Sequence, residues 1–252
     1  MVVGNGDRSA GAILVLVSLA FASACSGAPD AFRIEPQRPV AMLREEAMAA
    51  QPPQEQRTFR AVELVDLTTI DPTIRLDIRY ATTNNFLSTP LYDEPRAFLQ
   101  RPAAEALLRV HRALMKQGYG LLIHDAYRPW WVTKVMWEAT PVQWRQFVAD
   151  PAQGSRHNRG CAVDLTLYDL RTGAAVQMPG VYDEMSEHSY PTYAGGTREQ
   201  RRHRDLLRAA MEREGFTVYE KEWWHFDFKD WKHYPILNVP FEALAAPAGE
   251  KL

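Results

Sequence analysis

Hydrophobic and polar positions change their spacing several times along the chain, and these changes predict an order of strands and helices. Residues 61–67 and 74–80 alternate apolar and polar side chains, as a strand with one buried face does. Residues 103–117 then place apolar side chains at helical spacing, after Pro102 and before Gly118. The pattern therefore predicts two strands followed by a helix.

The rest of the chain continues this mixture of spacings. The apolar run 121–125 predicts a buried strand, 130–138 predicts an aromatic helix and 163–168 predicts a further strand. After these come a long loop at 178–196, a helix at 199–214 and strands at 216–219 and 224–228. Long helices beside a short antiparallel sheet predict an α+β fold, with helices flanking the sheet.

The first residues have the pattern of an export signal. Arg8 precedes an apolar run at 10–24 that is too short to span a membrane comfortably, and small residues follow the run. Cys25 lies where a bacterial lipoprotein would be processed, so lipid anchoring at Cys25 and simple cleavage with release both stay open. We expect a signal peptide at 1–25 and a location in the periplasm or cell envelope.

Composition shifts divide the remaining chain. Residues 26–58 are rich in Ala, Pro, Gln, Arg and Glu, which predicts a flexible linker with a short helix at 41–50. A single folded domain is expected at 59–242, followed by a C-terminal tail at 243–252.

Charge and cysteine usage argue against a nucleic-acid partner and against an intrachain disulfide. The 252 residues carry a formal net charge of −2 without a basic stripe, so a nucleic-acid partner is not expected. The locally basic run 198–204 precedes an apolar periodic segment and is interpreted as a solvated helix start. If Cys25 is lipidated or removed, Cys161 has no partner for an intrachain disulfide and is expected to be a packed thiol.

One stretch, residues 155–164, combines an imidazole and a carboxylate on either side of a glycine. Gly160 and the alternation after it favour a turn that enters a strand, and such a turn can bring His157 back toward Asp164. An aspartate within an apolar strand is costly unless it is paired or bound to a metal, which favours a ligand role. For His157 considered alone, a surface histidine is the alternative.

A second cluster, Glu222-Trp223-Trp224-His225, lies near the C-terminal end. A regular strand would direct Glu222 and His225 to opposite faces, so their convergence requires a turn or bulge near Trp223. A Glu-x-x-His pair is often only a surface pair, but the two aromatics between its members can form a dry wall beside a metal. The two clusters together offer two imidazoles and a carboxylate as ligands and a second carboxylate as a base, which suits a catalytic zinc ion.

An arginine follows the predicted buried strand at 121–125 in the sequence Asp125-Ala126-Tyr127-Arg128-Pro129. A rigidly held guanidinium suits an oxyanion or a carboxylate. A structural ion pair between Arg128 and Asp125 is the alternative, and both interpretations stay open on this stretch alone.

Five sets of residues follow one another along the chain: Tyr80-Ala81-Thr82 with Asn85-Phe86, Gly118-Tyr119-Gly120, and the motifs at 125–129, 155–168 and 222–225. In this order they resemble the zinc D-alanyl-D-alanine dipeptidases of the VanX type, which are related to the zinc D,D-carboxypeptidases and the hedgehog-type fold. The resemblance covers residues 61–240.

The resemblance implies one zinc ion per chain. His157, Asp164 and His225 would be its ligands, Glu222 would be the general base and acid, and Arg128 would stabilise the tetrahedral oxyanion. These roles are what the family pattern implies for the matching positions of this chain.

The resemblance also implies a substrate site. Asp183 would hold the free ammonium group of the substrate with help from Tyr80, and Ser155 would contact the bound dipeptide. An anion at that end rejects peptides with an acylated amine and admits short free peptides. The expected function is hydrolysis of D-Ala-D-Ala, or of similar D,D-dipeptides, in the periplasm.

Two alternatives stay open, and the oligomeric state is not predicted. One is a D,D-carboxypeptidase or endopeptidase that acts on longer muropeptides, and the restriction imposed by Asp183 would distinguish it. The other is a non-catalytic, zinc-stabilised lipoprotein that binds peptidoglycan, against which Glu222 and Arg128 argue.

Overall fold

The computed structural model describes residues 1–4 and 32–244 of the chain. Its helices in this part are α1 (Val40–Ala49), α2 (Leu67–Ile70), α3 (Arg101–Met115), α4 (Trp130–Ala139), α5 (Arg198–Arg213) and α6 (Phe241–Leu244). Its strands are β1 (Leu64–Asp66), β2 (Arg75–Leu76), β3 (Phe98–Gln100), β4 (Tyr119–Asp125), β5 (Ala162–Asp169), β6 (Phe216–Tyr219) and β7 (Glu222–Phe228).

The main sheet has the strand order β2-β4-β5-β7-β6, and β1 pairs with β3 in a separate ribbon. The predicted α+β class is confirmed, as are the helices that became α3, α4 and α5. The sheet is mixed, however, because β2 runs parallel to β4 while the other pairs are antiparallel. A parallel pair needs a crossover connection, and α3 lies in the connection between these two strands.

The strand predicted at 74–80 is wrong for most of its length. Only Arg75 and Leu76 pair with β4, and Arg79–Ala81 form a single 3₁₀ turn. Arg79 is buried and its Nε donates to Asp77 Oδ2 at 2.7 Å, so this charged position does not mark a solvent face. The chain leaves the sheet here and turns Tyr80 toward the cavity described below.

Residues 32–58 pack against the domain, which corrects the expectation of a flexible linker over this range. The short helix expected there is present as α1, and it lies against α4 with Leu43 and Ala47 fully buried. The backbone N–H of Ile34 donates to the carbonyl of Phe86 at 2.9 Å. The sequence did not predict this packing because the segment is rich in proline and only a few of its apolar side chains are buried.

The predicted signal peptide lies outside the described residues from residue 5 onward, and so does Cys25. Within residues 1–4 and 32–244, no helix combines the length and the apolar character that crossing a bilayer would require. The export signal therefore stays a prediction, which cell fractionation can test. The expected tail at 243–252 is described only as far as Leu244.

Strand pairing brings distant parts of the chain to one place on the main sheet. Asp164 on β5 lies opposite Asp125 on β4 and opposite His225 on β7. The β4–β5 pairing shifts its register between Ile123 and Asp125, and bulges of this kind commonly redirect side chains next to functional sites. The three central strands thus bring Asp125, Asp164 and His225 together.

Candidate metal site and active-site cavity

Three buried side chains direct one donor atom each to a common point. His157 Nε2 lies 3.1 Å from His225 Nδ1 and 3.3 Å from Asp164 Oδ1, and the last two atoms are 3.1 Å apart. Bonds of about 2.0–2.2 Å to a tetrahedral ion would separate its ligands by roughly 3.3–3.6 Å. Asp164 Oδ1 is buried without a hydrogen-bond partner among the described residues. The three residues therefore fit a metal ion.

Both histidines of the cluster are held by a second contact on the far side of the ring. His157 Nδ1 lies 2.6 Å from the carbonyl oxygen of Ala126, and His225 Nε2 lies 2.9 Å from Asp227 Oδ1. Such partners fix the tautomer and orientation of a ligating imidazole. Burial lowers the pKa of His225, but Asp227 and Asp164 outweigh it, so the pKa lies well above the usual value. The surroundings of the cluster thus favour a positive charge.

The turn that presents His157 depends on a glycine. His157–Arg159 form a 3₁₀ turn that ends at Gly160, whose φ of 64° lies in the left-handed region. A Cβ at this position would lie 2.4 Å from Leu64 Cδ2, the end of a side chain that can rotate, so it is the backbone conformation that requires glycine. The chain then enters β5, as the spacing of His157 and Asp164 predicts.

The β6–β7 pairing contains the bulge that Glu222 and His225 need in order to approach each other. Val218 pairs with Phe226 but Tyr219 pairs with Glu222, so the β6–β7 register shifts over the two tryptophans. Glu222 Oε2 comes within 3.7 Å of His225 Nδ1, and only 13% of the Glu222 side chain is exposed. Burial raises the pKa of Glu222 to about 7. A cation held beside it would favour the ionised form.

Arg128 forms the structural ion pair that its motif allows, and it also faces the candidate metal ligands. Its Nε and Nη2 donate to Asp125 Oδ2 at 2.9 and 2.8 Å, so the structural pair exists. The same guanidinium lies over the ring of Tyr80 and reaches within 3.8 Å of Asp164 Oδ2. Asp125 therefore holds a cation rigidly beside the candidate metal ligands.

Asp183 faces the same space from the long loop at 178–196. Its carboxylate accepts a hydrogen bond from Tyr80 Oη, which lies 2.8 and 3.0 Å from the two oxygens. Burial raises the pKa of Asp183 well above its usual value, and the charge of Asp164 raises it further. Its φ of 61° is unusual for a residue other than glycine and costs of order 1 kcal/mol. An ammonium group at this position would relieve the unfavourable charge.

One cavity brings together all the residues that the sequence analysis proposes. Ser155 lies on its wall, where Ser155 Oγ accepts a hydrogen bond from the backbone N–H of His157 at 3.2 Å. The proposed residues that line the cavity are Tyr80, Arg128, Ser155, His157, Asp164, Asp183, Glu222 and His225. The structure thus places a candidate base, a guanidinium, three candidate metal ligands and the carboxyl group of Asp183 within a single space.

Two supporting residues were missed in the sequence. Tyr182 Oη donates to Asp164 Oδ2 at 3.0 Å, and Asp227 contacts His225 as described above. Asp227 could have been found, because residues two apart on a strand share a face. No local pattern could have identified Tyr182, since its contact depends on the path of a long loop.

Comparison with known proteins gives consistent results. A peptidase family model described as D-ala-D-ala dipeptidase matches residues 60–242. The chain is 36% identical over 185 residues to a D-alanyl-D-alanine dipeptidase of Escherichia coli, covering 73% of this chain and 94% of the relative. It is 35% identical over 180 residues to a protein of the same name from Enterococcus faecium, covering 64% of this chain and 89% of that relative. A further protein of that name, from Streptomyces coelicolor, is 33% identical over 178 residues, with 64% of this chain and 88% of the relative covered.

Proposed function

The chain belongs to the family of D-Ala-D-Ala dipeptidases, and from that premise we propose that its cavity is a zinc-dependent active site for D-alanyl-D-alanine or similar free D,D-dipeptides. The protein is accordingly a dipeptidase, a hydrolase of cell-wall metabolism. The observation that carries the finer proposal is the meeting of His157 Nε2, Asp164 Oδ1 and His225 Nδ1 within 3.3 Å of one another. Glu222 and Arg128 line the same cavity.

The donor set supports zinc as the metal. Two imidazole nitrogens and one carboxylate oxygen are a common ligand set of catalytic zinc, and this set leaves a fourth position open. When bound, zinc polarises the scissile carbonyl and lowers the pKa of water. The second contacts of His157 and His225 orient both rings toward the position that the ion would occupy.

Glu222 and Arg128 supply the proton transfer and the charge stabilisation. We assign Glu222 as the group that takes a proton from the attacking water and returns it to the leaving amine, since it is largely buried beside the ligand cluster. Arg128 donates to the oxygen that becomes negative, because Asp125 holds its guanidinium in a fixed position at the cavity wall.

Asp183 and Tyr80 explain why the substrate would be a free dipeptide. A partly buried carboxylate with a raised pKa is best satisfied by a positive charge, which the α-ammonium group of the substrate provides. An acylated amine would leave this carboxylate without a cationic partner. This favours a dipeptidase over an enzyme for longer muropeptides, and family membership favours an enzyme over a binding lipoprotein.

Hydrolysis of D-Ala-D-Ala and of its N-acetylated form provides the test of the proposed function. We expect the purified protein to release D-alanine from the free dipeptide and to be at least about 100-fold slower on the acetylated one, since a buried polar group left unpaired costs several kcal/mol. A chelator is expected to stop the reaction, and added zinc to restore it. Equal rates on the two substrates would instead support the carboxypeptidase alternative.

Tyr182→Phe tests the hydroxyl that contacts the ligand Asp164. The ring stays and only the hydrogen bond to Asp164 Oδ2 is lost, so we expect zinc binding to weaken by about tenfold, the lower end for outer-shell partners. Competition with a chromogenic chelator measures the change. Tyr119→Phe is the matched control, because its hydroxyl contacts His203 away from the cavity. Equal affinities of the two variants would rule out this role for Tyr182.

A further inference from the structure

The segment 32–58, which we name the N-terminal strap, lies before the family match begins at residue 60. None of the described residues that line the cavity belongs to it. Its helix α1 is nevertheless packed against α4, with Leu43 and Ala47 fully buried. This segment thus lies outside the family match but is packed into the core.

The strap contacts two elements that form one side of the cavity wall. The backbone N–H of Ile34 donates to the carbonyl of Phe86, and the N–H of Gln37 donates to the carbonyl of Ala139, both at 2.9 Å. Phe86 lines the cavity, and Ala139 ends the helix that carries the lining residue Met136. Because these are backbone hydrogen bonds, they hold this part of the cavity wall independently of the side chains of the strap.

A third wall element is held by an aromatic contact. Phe32 meets the ring of Trp144 edge to face, with ring centroids 6.1 Å apart. Trp144 belongs to the 3₁₀ segment Val142–Phe147, whose residues Gln146 and Phe147 line the cavity. The strap thus reaches a further part of the wall by packing.

The fourth contact reaches the turn that carries a metal ligand. Glu55 accepts hydrogen bonds from both terminal nitrogens of Arg159, at 2.8 and 3.1 Å. Arg159 is the last residue of the turn His157–Arg159, is 4% exposed, and also donates to the carbonyl of Tyr234 at 2.5 Å. The second oxygen of Glu55 also accepts the backbone N–H of Ile236 at 3.0 Å. Among the described residues, no other carboxylate is paired with this guanidinium within 4.0 Å.

We propose that the N-terminal strap is part of the active-site scaffold and that Glu55 is a positioning residue, which clamps Arg159 and so holds the turn that presents His157 to the other two ligands. A buried guanidinium that loses its carboxylate is strongly unfavourable, so the turn must shift until Arg159 reaches water. Because His157 lies two residues away on the same turn, that shift moves a ligand. The expected effect on zinc binding rests on the proposed metal site. The expected effect on the conformation of the turn does not depend on that site.

The test compares Glu55→Gln with Glu46→Gln in the full chain. Glu46 is a matched control because it also belongs to the strap and pairs with an arginine, Arg38, but that pair is exposed. In metal-free protein, hydrogen exchange of peptides covering 155–161 is expected to be about tenfold faster in Glu55→Gln, with β4 unchanged. Zinc binding, measured by chelator competition, is expected to be about tenfold weaker, the lower end for outer-shell changes.

The two measurements separate failure of this inference from failure of the proposed function. If wild-type protein binds no zinc, the metal site is wrong, and exchange at 155–161 still decides whether Glu55 holds the turn. Equal exchange and equal affinity in the two variants would overturn the inference. So would faster exchange throughout β4, which would indicate only general loss of stability. Glu55→Asp keeps the charge and is expected to fall between wild type and Glu55→Gln.

Discussion

Glu222→Ala is expected to lower kcat by about 10³-fold, within the range that general acid–base groups contribute, while zinc content stays near one per chain. Glu222 Oε2 lies 3.7 Å from His225 Nδ1, so it is close enough to act on a water beside an ion bound there but is not one of the three candidate ligands. Removal of the carboxylate therefore takes away the proton acceptor and leaves the ligands in place. Steady-state kinetics and metal analysis of the same preparation measure both quantities.

The control and a second variant sharpen this result. Glu220→Ala removes an exposed carboxylate two residues earlier and is expected to keep full activity. Glu222→Gln keeps the shape of the side chain and is expected to be as inactive as Glu222→Ala, because an amide cannot accept the proton. Unchanged turnover would refute the role of Glu222, and loss of zinc from either variant would show that it is a ligand.

Asp164→Asn is expected to abolish both zinc binding and hydrolysis. The substitution nearly preserves size, but it removes the negative charge at which two imidazoles and the guanidinium of Arg128 converge. Loss of a direct ligand should weaken zinc binding by more than the roughly 10–100-fold that outer-shell changes cause. Calorimetric titration with zinc measures the affinity, and hydrolysis of D-Ala-D-Ala measures the activity.

Two controls accompany the Asp164→Asn variant: wild-type protein treated with a chelator, and a substitution of another aspartate on the same strand. Wild-type protein treated with a chelator should match Asp164→Asn in activity and recover when zinc is added, whereas the variant should not recover at the same concentration. Asp169 lies at the far end of the same strand, so the Asp169→Asn variant is expected to bind zinc and hydrolyse the dipeptide as wild type does. If the Asp164→Asn variant bound zinc with the affinity of wild type, the ion would be held at another site.

Local patterns singled out residues that the fold brings into one cavity, because each cluster of them is compact in the sequence. His157 and Asp164 lie on either side of a turn at Gly160, and Glu222 and His225 span a bulge that their convergence already required. The alternation at 74–80 misled because Arg79 is charged yet buried, and spacing alone cannot show where a charged side chain finds a partner. The contact of Tyr182 with Asp164 was missed for a related reason, since an irregular loop has no period.

The sequence by itself determined the fold class, the main helices and strands, and the chemical groups available to the site, because hydrophobic spacing and short motifs act over a few residues. Only the tertiary structure decided that Asp164 pairs across the sheet with His225, that Asp125 holds Arg128, and that Glu55 in an apparent linker clamps the buried Arg159. These contacts join residues far apart in the chain, and their geometry depends on strand register and on which charges the core encloses. Neither property has a local sequence pattern, so the distances that make a cluster of side chains into a candidate active site had to come from the folded molecule.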